Sequence, residues 1–200
     1  MKHIAITSSE SIKKAVSTTV DSLKAGAVIA APTETVYGLM TLWDNQKGRD
    51  RIFTLKDRPA EKYLQMLAPD LETAIRYGLK SDPCLIKLAN CFWPGPLTIV
   101  CNAEDGTTIG LRIPHHPFVL AVLRQLEAPL AATSANRSGL PPAQVAENAV
   151  ARLCGQPDLL VDGGHTVGEA STVISLIGPT MKILRPGPIP EKVLKAALEH

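Results

Sequence analysis

This sequence predicts an α/β domain built on a mixed, twisted sheet flanked by helices, and three observations carry that expectation. Helical and strand-like segments are intermixed from end to end, which argues against all-helical or all-β layering. The strand candidates are short, apolar runs that empty into polar loops. No strict βαβ period runs through the chain and no Gly-rich nucleotide fingerprint follows the first strand, so a cleanly doubly wound sheet is not expected. Two hundred residues suffice for a sizeable core, and with no linker, repeat or low-complexity stretch, one domain over residues 1–200 is the simplest reading.

Each element has a local reason. Ser9 to Ala25 carries Ile12, Val16, Val20 and Leu23 at helical spacing, with serines ahead as caps and Gly26 behind as a stop. Ala27 to Ala31 reads as a buried strand that breaks at Pro32 into Thr33-Glu34-Thr35-Val36-Tyr37-Gly38-Leu39. Gly38 is expected to allow a close turn before Leu39, Met40 and Leu42 restore apolar character. Gln46 to Leu55 reads as a helix running into Lys56-Asp57-Arg58-Pro59, Tyr63 to Ala68 as extended, and Asp70 to Leu79 as helical. Asp82-Pro83 caps a helix that reaches about Phe92. Trp93-Pro94-Gly95-Pro96 is a stiff corner whose indole fills core space.

Leu97 to Cys101 and Ile109 to Ile113 are strand-like, Pro117 to Leu126 is an amphipathic helix, and Pro129 to Ala132 is a short buried strand. Ala143 to Leu153 reads as helical with Gly155 as its stop. Leu159 to Val161, Thr172 to Ile177 and Lys182 to Leu184 are strands, and Pro190 opens a last helix. The final three residues, 198–200, have the look of a truncated expression tag and carry no functional weight.

Composition narrows the function. A 45% hydrophobic and 20% charged chain is that of a soluble globular protein, and its formal charge of +2 disfavours a duplex-binding role that needs many phosphate contacts. Cys84, Cys91, Cys101 and Cys154 have no zinc spacing and no signal peptide precedes them, so buried thiols in a reducing cytoplasm are expected. No apolar run is long enough to span a bilayer.

The polar loops at strand ends hold cations, hydroxyls and amides but no nucleophile-plus-base pair, which suits an anionic ligand better than a hydrolytic triad. Lys56 and Arg58 could face one phosphate, or could be a solvated helix end. Arg112 lies inside the apolar run Ile109-Gly110-Leu111-Arg112-Ile113 and so needs a partner, either a ligand carboxylate or an internal Asp; a ligand is favoured. Thr133-Ser134-Ala135-Asn136-Arg137-Ser138-Gly139 offers small donors and acceptors around a tight turn, to a nucleotide or as a helix cap. Arg185 at a strand end is a candidate phosphate clamp. His115 and His116 are adjacent and point apart, as turn residues rather than metal ligands, and Glu34 alone is weak support for a magnesium site.

Taken together, these motifs resemble the YrdC/TsaC family, the threonylcarbamoyl-AMP synthases. The resemblance runs from the first helix to Pro188 and adds Lys56-x-Arg58-Pro59, Trp93-Pro94-Gly95-Pro96-Leu97-Thr98, Arg112-x-Pro114-x-His116-Pro117, Asp162-Gly163-Gly164, Ser171-Thr172 and Arg185-Pro186-Gly187 to the stretches above. It implies a twisted mixed sheet with a large concave basic cavity, in a nucleotidyltransferase that converts L-threonine, bicarbonate and ATP to threonylcarbamoyl-AMP and pyrophosphate. That product serves t6A modification of tRNA through a separate threonylcarbamoyl transferase complex, and a weak tRNA contact is compatible with it. ATP enters as substrate, with Mg2+ carried mainly by its phosphates.

By the same resemblance, Lys56 and Arg58 are the catalytic cations on the triphosphate, and Thr108, Ser134, Asn136 and Arg185 bind ATP. Thr33, Tyr37, Arg112, Thr133 and Ser171 bind threonine. One departure bears on amino-acid specificity: Tyr63 and Leu67 stand where many relatives have a proline and a histidine. The alternatives are a YciO-like paralogue or an RNA-binding module of the same fold; near-neutral charge and the lack of exposed stacking aromatics argue against the latter. The carbamoyl-transfer domain of hydrogenase-maturation proteins, a long multidomain setting, is a third and weaker fit.

Overall fold

Ten strands form one sheet in the computed structural model, which describes residues 1–57, 63–166 and 168–199. In chain order the elements are β1 Lys2–Ala5, α1 Ser9–Lys24, β2 Ile29–Pro32, β3 Tyr37–Leu42, α2 Gln46–Lys56, β4 Gln65–Leu67, α3 Leu71–Arg76, α4 Pro83–Phe92 and β5 Leu97–Asn102. They continue with β6 Thr108–Arg112, α5 Pro117–Leu126, β7 Leu130–Ser134, α6 Ala146–Ala151, β8 Leu159–Asp162, β9 Thr172–Ser175, β10 Lys182–Arg185 and α7 Glu191–Glu199. The strand order is β1-β8-β2-β3-β7-β4-β6-β5-β9-β10, with parallel pairs at β1/β8, β2/β8, β4/β6 and β5/β9 and antiparallel pairs elsewhere. The expected mixed sheet is what forms. No helix among the described residues is long and apolar enough to cross a membrane.

Helix starts follow the capping residues. Ser8 and Ser11 bond reciprocally at the head of α1, Asn45 accepts from Gly48 N–H before α2, and Asp82 accepts from Cys84 and Leu85 N–H before Pro83. The α6 helix starts three residues later than its sequence suggests. The carbonyls of Ala143 and Gln144 are already taken by the N–H groups of Tyr37 and Thr166, so they cannot open a helix. Similarly, α3 stops at Arg76 because Gly78 turns at φ +92° and Leu79 bridges to Ala103 instead. The edge strand β1 left little trace in the sequence, since only Ile4 in it is partly buried.

Gly38 does not turn the chain. It lies within β3, opposite Ser134 of β7, and a Cβ there would come within 2.9 Å of the Met40 side chain and 3.3 Å of Thr133 O. The glycine serves close approach, not a positive φ. The cysteines also differ from expectation: Cys101 alone is buried, while Cys84, Cys91 and Cys154 are exposed. Cys84 and Cys91 sit seven apart on α4, off the face that buries Leu85 and Leu88. Leu198 belongs to α7 and packs against the core.

Three apolar clusters cover the sheet. On one face α1 and α5 pack over β2, β3, β7 and β8, through Val20, Leu23, Phe118 and Leu123 against Ile29, Met40 and Leu130. On the opposite face α2 and α6 bury Ile52, Leu55 and Ala149 against Ala30, Leu39 and Ala131. That second face continues over β4, β5, β6 and β9, where Leu85, Leu88 and Leu194 meet Met66, Ile99, Leu111 and Ile174. The first face has no such continuation. Beyond β7 it is left open, and there the site forms.

Candidate functional site

The open face is a cavity of about 430 Å3. Its floor comes from alternate residues of neighbouring strands, because side chains two apart point to the same side. Ala132 and Ser134 come from β7, Gln65 from β4, Thr108, Gly110 and Arg112 from β6, and Thr98 and Val100 from β5. Their neighbours Ile99, Ile109 and Leu111 point the other way, into the core.

Six of the expected site residues line this cavity: Thr108, Arg112, Thr133, Ser134, Ser171 and Arg185. Arg112 is almost fully buried, at 3% exposure, and its partner is Glu34 rather than an Asp. Arg112 Nη2 lies 2.7 Å from Glu34 Oε1 and donates to Thr35 Oγ1 at 3.0 Å. Neither Glu34 oxygen makes an aligned hydrogen bond, and Arg112 Nε has no acceptor among the described residues. The pair is held by charge, with donor capacity left over toward the cavity.

Arg185 donates to the Ser171 carbonyl at 2.8 Å and to Ser171 Oγ at 3.1 Å. Burial, then the nearby charge of Arg112, holds its pKa below the ordinary arginine value. Two guanidiniums therefore face one cavity, an arrangement suited to an anion. At the head of α5, burial pushes the pKa of His116 below its ordinary value; Arg112 adds to that and Glu34 opposes it. Its Nδ1 is buried with no hydrogen-bond partner among the described residues.

Four expected residues lie behind the cavity wall instead. Thr33 Oγ1 donates to Val36 O at 2.7 Å and accepts from the N–H groups of Thr35 and Val36, which closes the turn. The cavity-facing hydroxyl is Thr35. Tyr37 is fully buried; its hydroxyl donates to Gly164 O at 2.7 Å and accepts from Gly163 N–H, so it ties down the 162–164 turn. Burial, reinforced by the charge of Asp162, pushes that phenol up to about 12, although the Gly163 N–H pulls the other way.

Lys56 ends α2 at 1% exposure, and its ammonium donates to Ser134 O and, at 2.7 Å, to Asn136 O. It pins the 134–136 loop from beneath rather than projecting into the cavity. Asn136 donates to Arg137 O and Leu140 O, leaves Oδ1 buried without a partner among the described residues, and lines a smaller recess of about 200 Å3 beside Pro141 and Pro142. Arg58 falls outside the described residues. Leu67, where a histidine was the family expectation, is buried in the core.

Sequence reading placed Thr35 among the polar strand-end groups without giving it a role, and missed two cavity groups, Gln65 and Thr98. The signal for Thr98 was weak: in Leu97-Thr98-Ile99-Val100-Cys101 it is the one hydroxyl in an apolar strand, and strand parity puts it on the same side as Val100, opposite Leu97 and Ile99. No group of three His, Cys, Asp or Glu residues that could hold a metal is found among the described residues.

Comparison with known proteins bears on this geometry. A family profile, Sua5_yciO_yrdC, described as telomere recombination, matches residues 21–187. A threonylcarbamoyl-AMP synthase of Bacillus subtilis is 33% identical over 187 residues, covering 88% of this chain and 54% of its own. The chain thus spans about half the length of that curated relative. A threonylcarbamoyl-AMP synthase of Vibrio parahaemolyticus is 33% identical over 178 residues, covering 84% of this chain and 96% of its own. The crystal structure of Sua5 from Pyrococcus abyssi complexed with L-threonine superposes at a TM-score of 0.85 with 31% identity, covering 98% of this chain and 60% of that one. With a match across most of the sequence and relatives at a third identity, this chain belongs to the Sua5/YciO/YrdC family.

Proposed function

We propose that the chain acts as one YrdC-like domain that makes threonylcarbamoyl-AMP from L-threonine, bicarbonate and ATP. The observation that carries this reading is the convergence of Arg112, Thr35, Ser134, Ser171 and Arg185 on one uncovered sheet face. It is supported by the synthase names of relatives and by the L-threonine complexed with Sua5 in the P. abyssi crystal structure. In the reaction, the threonine amine attacks the carbon of bicarbonate and water leaves, giving a carbamate. A carbamate oxygen then attacks the α-phosphorus of ATP, the bond to the β-phosphate oxygen breaks, and pyrophosphate departs.

The chain's own part is positioning and charge neutralisation, with no covalent nucleophile required. The Arg112 guanidinium holds the threonine carboxylate while Thr35 Oγ1 keeps it in register. Ser134 and Arg185, with Thr108, hold the phosphates and ribose. Lys56 acts through the loop it pins, as a positioning residue, with Arg58 as the direct cation on the triphosphate. Magnesium would be carried mainly by the phosphates of ATP; the carboxylate beside the cavity, Glu34, is ion-paired with Arg112. The product would feed a threonylcarbamoyl transferase for t6A modification of tRNA, in the cytoplasm.

The test is pyrophosphate release by the purified chain with ATP, bicarbonate and threonine. Threonine-dependent release is expected, and it should fall sharply in Arg185→Ala. Release that is the same with and without threonine would refute the synthase reading.

A further inference from the structure

A line of side-chain hydrogen bonds crosses the cavity floor from β10 to β4. Arg185 Nη2 donates to Ser171 Oγ at 3.1 Å, Ser171 Oγ lies 2.9 Å from Thr98 Oγ1, and Thr98 Oγ1 donates to Gln65 Oε1 at 3.1 Å. A hydroxyl has one proton to give. With the Thr98 proton committed to Gln65, the bond between the two hydroxyls has to be donated by Ser171. The line therefore runs one way, from guanidinium to amide oxygen, with Oε1 facing Thr98 and Nε2 left to the cavity that Gln65 lines. No described residue accepts from Nε2.

The register says where that donor stands. Met66 pairs with Leu111 and Leu67 with Arg112, so Gln65 is level with Gly110, which has no side chain to fill the space above it. Arg112 is two positions further along the adjacent strand, so its Cα is roughly 8 Å from that of Gln65 at strand spacing. Charged parts of a ligand have two guanidiniums to choose from; Gln65 adds an uncharged donor to the same cavity.

We propose that Gln65 is a specificity-determining residue, whose Nε2 donates to the side-chain hydroxyl of the hydroxy amino acid held at its carboxylate by Arg112. The inference rests on the threonine reading of the cavity and adds a reason for the hydroxyl. An alkyl analogue fills the same space but leaves a partly buried N–H unpaired, and sites built to hydrogen-bond a substrate hydroxyl discriminate strongly against analogues that lack it.

Calorimetric titration of L-threonine and L-2-aminobutyrate, which differs by the missing hydroxyl, tests this on three chains: unaltered, Gln65→Leu and Gln65→Glu. The unaltered chain should prefer threonine by about tenfold or more. In Gln65→Leu that preference should collapse to within about twofold, with 2-aminobutyrate and ATP affinities little changed. Gln65→Glu keeps an acceptor for Thr98 and puts in place of the N–H an oxygen to which the substrate hydroxyl can itself donate, so the preference should be retained there, at weaker affinity for both amino acids because the new charge faces their carboxylate. A preference retained in folded Gln65→Leu, or lost in folded Gln65→Glu, would overturn the role of Gln65 while leaving the synthase reading standing. Failure of the unaltered chain to bind threonine would overturn both.

Discussion

The two halves of the sheet are built on opposite rules. Through β8, β2, β3 and the start of β7 both faces are covered, and successive residues are apolar regardless of parity: Ile29, Ala30 and Ala31, then Leu39 and Met40, then Leu130 and Ala131. From β4 to β10 a single face is covered, and the sequence alternates, with Leu97, Ile99 and Cys101 inward and Thr98 and Val100 toward the cavity. A strand buried on both sides has no position at which a polar group can be presented without burying it unpaired. The cavity therefore opens over the half where one layer of helices is missing, and the covered half reaches it only at strand ends, through Thr35, Thr133 and Ser134. The covered half holds two of the three apolar clusters, and the open half supplies most of the cavity lining.

Substitutions that respect this division should separate stability from turnover. The largest effect is expected at Arg112, where the proposed charge-assisted pair to the substrate carboxylate would be lost. Arg112→Leu combined with Glu34→Gln, which avoids stranding the Glu34 charge, should lower threonine-dependent turnover about a hundredfold or more. Fold stability should stay close to that of the unaltered chain. Equal loss of turnover and of denaturation midpoint would place Arg112 among the structural residues instead. Leu39→Ala in the covered half should do the reverse: about 2–5 kcal/mol of stability lost in denaturant melts, with KM for threonine unchanged. A shifted KM there would mean that the two halves are coupled.

The sequence made the covered half and the order of elements legible, because apolar runs, caps and stops are local signals. The assembly of the site was less legible. Arg112 announced itself as a charge among apolar neighbours, but its partner was Glu34, distant in sequence and placed only once β2, β3 and β6 had assembled. Thr33 and Thr35 look interchangeable as letters. What separates them is that Thr33 spends its hydroxyl on Val36 O, a local turn that faces its neighbour into the cavity. Lys56 read as a cation on a phosphate or as a solvated helix end, and it is neither exposed nor in the cavity: whether an ammonium meets a ligand or the carbonyls beneath the 134–136 loop is decided by tertiary burial.

The threonine pair gives a finer version of the same comparison. Thr35→Val removes the acceptor for Arg112 and should raise KM for threonine about tenfold at little cost to stability. Thr33→Val leaves the N–H groups of Thr35 and Val36 without their acceptor, and should cost about 1–3 kcal/mol of stability with a smaller change in KM. If the two variants exchanged phenotypes, the turn would be facing the other way in solution.

The smallest effect concerns Tyr37, which belongs to the covered half but whose hydroxyl reaches the 162–164 turn. In the folded chain the phenol holds its proton up to about 12, mainly through burial, against 10.0 for an ordinary tyrosine. Below about 10 the folded and unfolded chains are both protonated and this group's contribution to stability is fully present. As pH rises from about 10 toward about 12, the unfolded chain releases the proton while the folded chain retains it, so the contribution is lost. At neutral pH, Tyr37→Phe should cost about 1–2 kcal/mol, because Gly163 N–H and Gly164 O lose their partner. The variant cannot release that proton, so the gap between the two unfolding midpoints should narrow across this alkaline window. Midpoints that stay parallel through it would mean that the hydroxyl titrates as an exposed phenol does, and that the turn is not tied to the covered half through Tyr37.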